Sequence, residues 1–308
     1  MRHLRIGTRG SLLAKWQAEF VRKQLFAMAG LETEIIIIKT SGDKLQTTPL
    51  SQAGGKGIFI KELEEALLEE TIDLAVHSVK DVPTDTPSRL MFPAVCRRAD
   101  VRDCLIGQNG ATLGSLRQGA RVGTGSLRRQ AQLRHLRPDL DVRDLRGNVD
   151  TRLRKVESGE YDAVMLAKAG LDRLGWSERI TEILSPEVFL PAVGQGAIAV
   201  ECRLKDTDAA EIVTGLDDAE TRTAIIAERA LLAALHGGCQ VPLGAWARIE
   251  RGELVLEACV CSIDGVQYIK QRTTSPPEQA AELGGQMATL LMEAGAHRIL
   301  EEVSRSRG

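Results

Sequence analysis

Nine arginines and no lysine lie between Arg121 and Arg154. A guanidinium grips a carboxylate through two parallel hydrogen bonds, which an ammonium cannot do. The bias points to a ligand carrying several carboxylates. For any one arginine, a solvated pair with Asp139, Asp141 or Asp144 is the commoner arrangement. Arg128, Arg129 and Arg146 are read as ligand-facing, because they adjoin glycine-rich turns at expected strand ends, where open α/β sheets bind ligands. Gly123-Thr-Gly-Ser126 lies between an expected strand and an expected helix. Free N–H groups there attract anions, and Thr124 and Ser126 add hydroxyls. Thr8-Arg9-Gly10-Ser11 repeats the arrangement. Neither segment is a P-loop, since the Gly-Lys-Ser/Thr ending is missing.

His77-Ser-Val-Lys-Asp-Val-Pro83 closes another expected strand with polar side chains. Asp81 in a pocket could stabilise a developing cation or move protons; an aspartate before proline more often simply makes a turn. Strand alternation puts Lys80 and Asp81 on opposite sides. Gly54-Gly-Lys-Gly57 reads equally as a lid or an ordinary turn. In His236-Gly-Gly-Cys239 the glycines end a helix and leave Cys239 in an exposed loop suited to covalent chemistry, although a free cysteine is more often structural. Cys96, Cys104, Cys202, Cys259 and Cys261 read as packing residues. No CxxC pair and no histidine at zinc-ligand spacing accompany them, so no metal site is expected.

The elements that must hold these groups alternate in type. Leu4–Gly7, Glu34–Lys39 and Ile72–Val79 read as strands, the first two buried. Leu12–Phe26 and Ile58–Glu70 read as amphipathic helices. The pattern returns with strands Arg121–Gly123, Val142–Leu145 and Ala163–Ala167 and helices Ser126–Leu136 and Asp150–Ser158. Leu190-Pro-Ala-Val-Gly-Gln-Gly196 and the apolar run to Val200 read as a crossing back to the first domain. A helix over Asp218–Leu235, strands Trp246–Ile249, Leu254–Ser262 and Val266–Thr273, and one helix from about Pro277 to Ser304 follow. Ile263-Asp-Gly265 is a hairpin signal. Two α/β domains and a small α+β domain are expected. At 308 residues the chain has room for them. A net charge of −2 argues against a general nucleic-acid binder. The N-terminus lacks a signal-like apolar stretch, and the aliphatic run Ile35–Ile38 is far short of a membrane span. A reduced, cytoplasmic protein is expected. Of the 40 basic residues 29 are Arg, part of which a GC-rich genome would explain.

Long stretches of the chain resemble the porphobilinogen deaminase (hydroxymethylbilane synthase) family. They include Gly7-Thr-Arg-Gly-Ser-Leu-Leu-Ala14, Gly54-Gly-Lys-Gly-Ile-Phe-Ile-Lys-Glu-Leu63, Ala75-Val-His-Ser-Val-Lys-Asp-Val-Pro-Thr84 and Gly123-Thr-Gly-Ser-Leu-Arg-Arg-Gln130. Arg146-Gly-Asn-Val-Asp-Thr-Arg-Leu153, Leu190-Pro-Ala-Val-Gly-Gln-Gly196 and Gly237-Gly-Cys-Gln-Val-Pro-Leu-Gly244 continue the series. The resemblance implies two domains like the halves of a type II periplasmic binding protein, with mixed, mostly parallel sheets and the active cleft between them. These span residues 1–96 with 197–215, and 97–196. It also implies a cofactor-bearing α+β domain, 216–308, with a three-stranded antiparallel sheet.

By the same resemblance, four porphobilinogens are deaminated and joined head to tail into linear hydroxymethylbilane, in tetrapyrrole (haem, chlorophyll, cobalamin) biosynthesis. The cofactor is a dipyrromethane held by a thioether on Cys239. Asp81 is the catalytic residue, stabilising the azafulvene cation left by loss of ammonia. Asp81 also contacts the cofactor, together with Ser78, Lys80, Thr124, Ser126, Arg128, Arg129 and Arg146. Arg9, Ser11, Phe59, Arg152, Arg173 and Gln195 bind substrate. A monomer is implied, with its product passed to uroporphyrinogen-III synthase. His236 departs from the acidic residue of some relatives. A solute-binding module would explain the arginines but not Cys239. A Cys239/His236 hydrolase lacks a third group to orient the histidine.

Overall fold

The computed structural model describes residues 3–40, 60–85, 87–235 and 241–305. The expectations for Phe59, the Gly54–Gly57 turn, His236 and Cys239 fall outside them. The chain forms two compact units, Met1–Ala99 with Gly196–Arg222, and Asp100–Gln195 with Thr223–Gly308.

The first unit is built on β1 (Leu4–Arg9), α1 (Leu12–Ala29), β2 (Thr33–Ile38), α2 (Lys61–Leu68), β3 (Leu74–Ser78) and β4 (Leu90–Val95). Ser11 starts α1 by accepting a hydrogen bond from the Ala14 N–H at 3.2 Å, and Gly30, at φ 61°, ends it in the left-handed region. Gln17, Ala18, Val21 and Leu25 recur at helical spacing and are buried, so one face of α1 lies on the sheet.

The chain then builds the second unit's sheet from β5 (Asp103–Gly107), β6 (Arg121–Gly123), α3 (Leu127–Leu136), β7 (Asp141–Arg143), α4 (Val149–Glu157), β8 (Ala163–Ala167), α5 (Lys168–Leu174) and β9 (Glu182–Ile183). It returns to the first unit for β10 (Ile198–Arg203) and α6 (Thr207–Thr214). After α7 (Ala219–Ala234) come β11 (Leu243–Glu250), β12 (Glu253–Cys261), β13 (Tyr268–Ser275), α8 (Ala280–Leu291) and α9 (His297–Arg305).

The sheet orders are β2-β1-β3-β10-β4 and β7-β6-β8-β5-β9. In each, four strands run one way, and the fourth in order, β10 or β5, runs against both neighbours. Strands β11-β12-β13 form an antiparallel meander. One of its faces packs on α7, α8 and α9 through Leu243, Leu254, Leu256, Leu231, Leu283 and Met287. The fold class is therefore the expected one: two mixed, mostly parallel α/β sheets and a small α+β portion with a three-stranded antiparallel sheet.

Three expectations need correction. Strand β2 is an edge strand with Ile37 exposed, not a buried one. The C-terminal helix is two helices: Gly295, at φ 103°, breaks it inside the turn Met292–Ala296. Strands β4, β5, β9 and β10 and helices α5 and α6 were not anticipated. Within the second unit, the hairpin between β12 and β13 packs on α3. Tyr268 stacks on His135 with ring centroids 4.5 Å apart, and His135 Nδ1 lies 2.9 Å from the Gly265 carbonyl.

Candidate active site

In the first unit, β1 and β3 are parallel, so their carboxyl ends share one sheet edge. Arg9 ends β1 and is half-buried, with Ser11 just beyond as the α1 cap. Strand β3 stops at Ser78, and Val79–Asp81 turn into a short 3₁₀ helix. The strand alternation expected for Lys80 and Asp81 therefore does not apply. Both are half-buried in the turn. The Asp81 carboxylate accepts no hydrogen bond among the described residues. Ser78, on one face, accepts from Gln17 Nε2 at 2.8 Å. His77, on the other, lies 2.8 Å from Glu201 Oε2.

In the second unit, β6 ends in Gly123-Thr124-Gly125-Ser126 and β7 leads to Arg146. Because β5 runs against β8, with Asp103 opposite Ala167, Asp103 sits at the same edge as these carboxyl ends. It is wholly buried and gathers three partners. Arg128 Nη1 donates to Oδ2 at 2.6 Å, Arg129 donates to Oδ1 through Nε at 2.9 Å and Nη2 at 2.7 Å, and Gln195 Nε2 donates to Oδ1 at 3.0 Å. Backbone carbonyls take further N–H groups: Leu190 from Arg128 at 2.7 Å and Met165 from Arg129 at 3.1 Å.

Burial pushes the Asp103 carboxyl up, but the guanidiniums of Arg128 and Arg129 outweigh it and hold the pKa at about 2. Burial lowers the Arg128 pKa against the pull of Asp103. Two guanidiniums face one carboxylate, which leaves a buried positive charge in excess. Arg128 Nε is buried without a hydrogen-bond partner among the described residues. Gln195, expected to bind substrate, is bonded into this polar core.

Arg146 is mostly buried, and its only ion pair among the described residues is a long one, 3.5 Å from Nε to Asp144 Oδ2. That Nε also has no hydrogen-bond partner there. Arg152 Nε donates to the Gly147 carbonyl at 2.8 Å. Thr124 is buried, and its Oγ1 accepts from the Ser126 N–H at 3.3 Å. Arg173 lies half-buried in the last turn of α5.

Ser126 and Asn148, good capping types, supply no side-chain cap to α3 and α4. First-turn N–H groups of both helices are thus left for an anion. Arg137 and Arg143 instead take the surface pairs expected of ordinary arginines, with Asp139 at 2.7 Å and Asp141 at 2.5 Å.

Sequence reasoning missed Asp103, Glu201 and Gln17. Asp103 opens an unrecognised strand, and its partners are 25 and 26 residues away in the chain. The cysteines expected to pack, Cys96, Cys104, Cys202, Cys259 and Cys261, are all buried. Burial raises the Cys104 and Cys261 thiols to about 12. No cluster suited to a metal ion occurs among the described residues.

The class this geometry defines is an α/β protein whose second-unit strand ends carry buried guanidinium N–H groups without partners among the described residues, an arrangement suited to carboxylates. Residues 4–211 match the family described as porphobilinogen deaminase, dipyromethane cofactor binding domain, and residues 222–293 match the porphobilinogen deaminase C-terminal domain. The porphobilinogen deaminase of Syntrophobacter fumaroxidans is 47% identical over 99% of both chains. That of Syntrophotalea carbinolica is 51% identical over 96% of this chain and 95% of its own. The chain belongs to the porphobilinogen deaminase family; it is a transferase of tetrapyrrole synthesis with a dipyrromethane cofactor. Among solved structures, the methionine binding protein MetQ is similar at a TM-score of 0.43 and 12% identity, covering 70% of this chain and 89% of that one. A likeness that distant says nothing about function.

The cofactor bears acid side arms, and the second unit's residues fit such a group. The buried Nε–H groups of Arg128 and Arg146 lack partners among the described residues, and the N-termini of α3 and α4 lack side-chain caps there.

Proposed function

We propose that this chain deaminates porphobilinogen and joins four units head to tail into hydroxymethylbilane, on a dipyrromethane primer bound through Cys239. The observation that carries the reading is a half-buried Asp81 carboxylate without a hydrogen bond among the described residues, in a chain matched to the family along nearly its whole length. A carboxylate not tied up by protein donors is available to a cation. Loss of ammonia from porphobilinogen leaves such a cation on the pyrrole. Asp81 stabilises it and moves protons at the pyrrole nitrogen and the departing amine.

Arg128, Arg129 and Arg146, helped by Ser78, Lys80, Thr124, Ser126 and Asp81, would hold the cofactor. When bound, it supplies a tethered pyrrole with a free α-carbon. Arg9, Ser11, Arg152 and Arg173, with Phe59 and Gln195, would bind the acetate and propionate arms of substrate. Asp103 keeps Arg128 and Arg129 rigid, so the guanidiniums are oriented before the ligand arrives.

We also read the second unit as two domains, since its two sheets have separate cores. The protein acts in the cytoplasm as a monomer, needs no metal, nucleic acid or membrane, and passes its product to uroporphyrinogen-III synthase. No helix among the described residues is long and apolar enough to cross a membrane.

Intact-protein mass spectrometry tests the reading. The purified chain is expected to carry an acid-stable adduct of two pyrrole units, and Cys239→Ser to lack it. An unmodified wild-type chain with no action on porphobilinogen sinks it.

A further inference from the structure

The Asp81 side chain has no hydrogen bond among the described residues to orient it. Its aim therefore depends on the backbone before it, and that backbone is fastened at three successive residues. Ser78 accepts from Gln17 on the α1 face of the sheet. The Val79 N–H donates to the Ala197 carbonyl at 3.1 Å. His77 Nε2 meets Glu201 Oε2 at 2.8 Å on the opposite face, and both side chains are almost wholly buried.

Register explains the last contact. His77 pairs with Ala199 and Glu201 with Ala75 across β3 and β10, so the two polar side chains are diagonal neighbours on one face. Ala75, Leu63 and Leu90 form an apolar cluster on that side, and Phe92 meets the His77 ring edge-on at 6.0 Å. Glu201 Oε1 has no hydrogen-bond partner among the described residues. A buried polar pair with a spare oxygen is a poor source of stability, because apolar residues of similar size commonly replace such pairs at no loss. What it adds is direction: a hydrogen bond fixes a strand end where apolar contact would let it slide. Glu64 of α2 also faces the pair; burial, then Glu201, raises its carboxyl pKa while His77 opposes the rise.

We infer that His77 and Glu201 are positioning residues, which hold the end of β3 so that the Val79–Asp81 turn presents the Asp81 carboxylate in its working place. The inference rests on the reading of Asp81 as the catalytic group.

The test compares His77→Ala, Glu201→Ala and Glu201→Gln with Asp81→Asn. Each is measured for adduct mass, melting temperature, KM, and kcat per adduct-bearing molecule. The alanine variants are expected to load cofactor and keep KM within roughly twofold, while kcat falls about 10- to 100-fold. Glu201→Gln keeps an acceptor for His77 and should stay within roughly threefold of wild-type kcat. A merely structural pair would lower the melting temperature of the alanine variants and leave kcat per loaded molecule unchanged. That outcome, beside an inactive Asp81→Asn, overturns the inference alone. Substantial turnover by Asp81→Asn overturns the reading beneath it. If the alanine variants do not accumulate, His77→Leu fills the space without the bond. The same loss of kcat is then expected, and unchanged kcat rejects the role.

Discussion

In both of the first two sheets a reversed strand stands fourth, supplied last by the chain in one and first in the other, yet their carboxyl edges are finished in different ways. In the first unit, α1 is capped by its own Ser11, and the strand end is held so that the Asp81 carboxylate has no donor among the described residues. In the second, α3 and α4 have no side-chain caps among the described residues, and a buried aspartate holds two guanidiniums, of which Arg128 keeps an Nε without a partner there. One scaffold thus offers an acid from one copy and cations from the other. Matching topology fixes where chemistry can sit, while capping and burial decide its sign.

The sharpest way to break the comparison is at the acid. Asp81→Asn is expected to keep the fold and the adduct while turnover falls about 10²- to 10⁴-fold; steady-state kinetics on adduct-bearing enzyme checks it. Next comes the carboxylate that organises the cations. Asp103→Asn leaves two buried guanidiniums without their counter-charge and should cost about 3–5 kcal/mol in urea unfolding.

The sign of the Asp103 pH dependence follows from its depressed pKa of about 2. Its contribution is complete above the unfolded value of about 3.9 and is lost as pH falls from there through about 2. Wild-type stability should drop in that window, and Asp103→Asn should lack the Asp103 part of the drop. Third, Arg146→Leu should leave folding nearly intact and impair cofactor assembly or chain elongation. Wild-type adduct content and elongation rate would return it to the surface. The smallest effect belongs to Arg143→Leu. Its exposed pair with Asp141 is worth about 0–1 kcal/mol, and kinetics should not change.

Much of the frame was legible in the sequence. Arg121–Gly123 and Ala163–Ala167 are strands over their expected lengths, each standing directly before a helix or its glycine-rich turn. β2 was misjudged as buried: a run of isoleucines signals a strand but not its position, and this one lies at an edge. β4 was hidden by Pro93, which an edge strand tolerates. The arginine-rich stretch stood out, but its division among a buried cluster, a thinly bonded Arg146 and plain surface pairs depends on Asp103. That partner is joined to the cluster only by folding.

The reversed strand β10 lies between β3 and β4 in the first sheet, yet the chain supplies it only after completing the second sheet at Ile183. During synthesis, of these two sheets the one that begins first must therefore finish second. Until Arg203 has left the ribosome, β4 has no strand to pair with, and a fragment ending before Ile198 would expose two raw β edges to its neighbours.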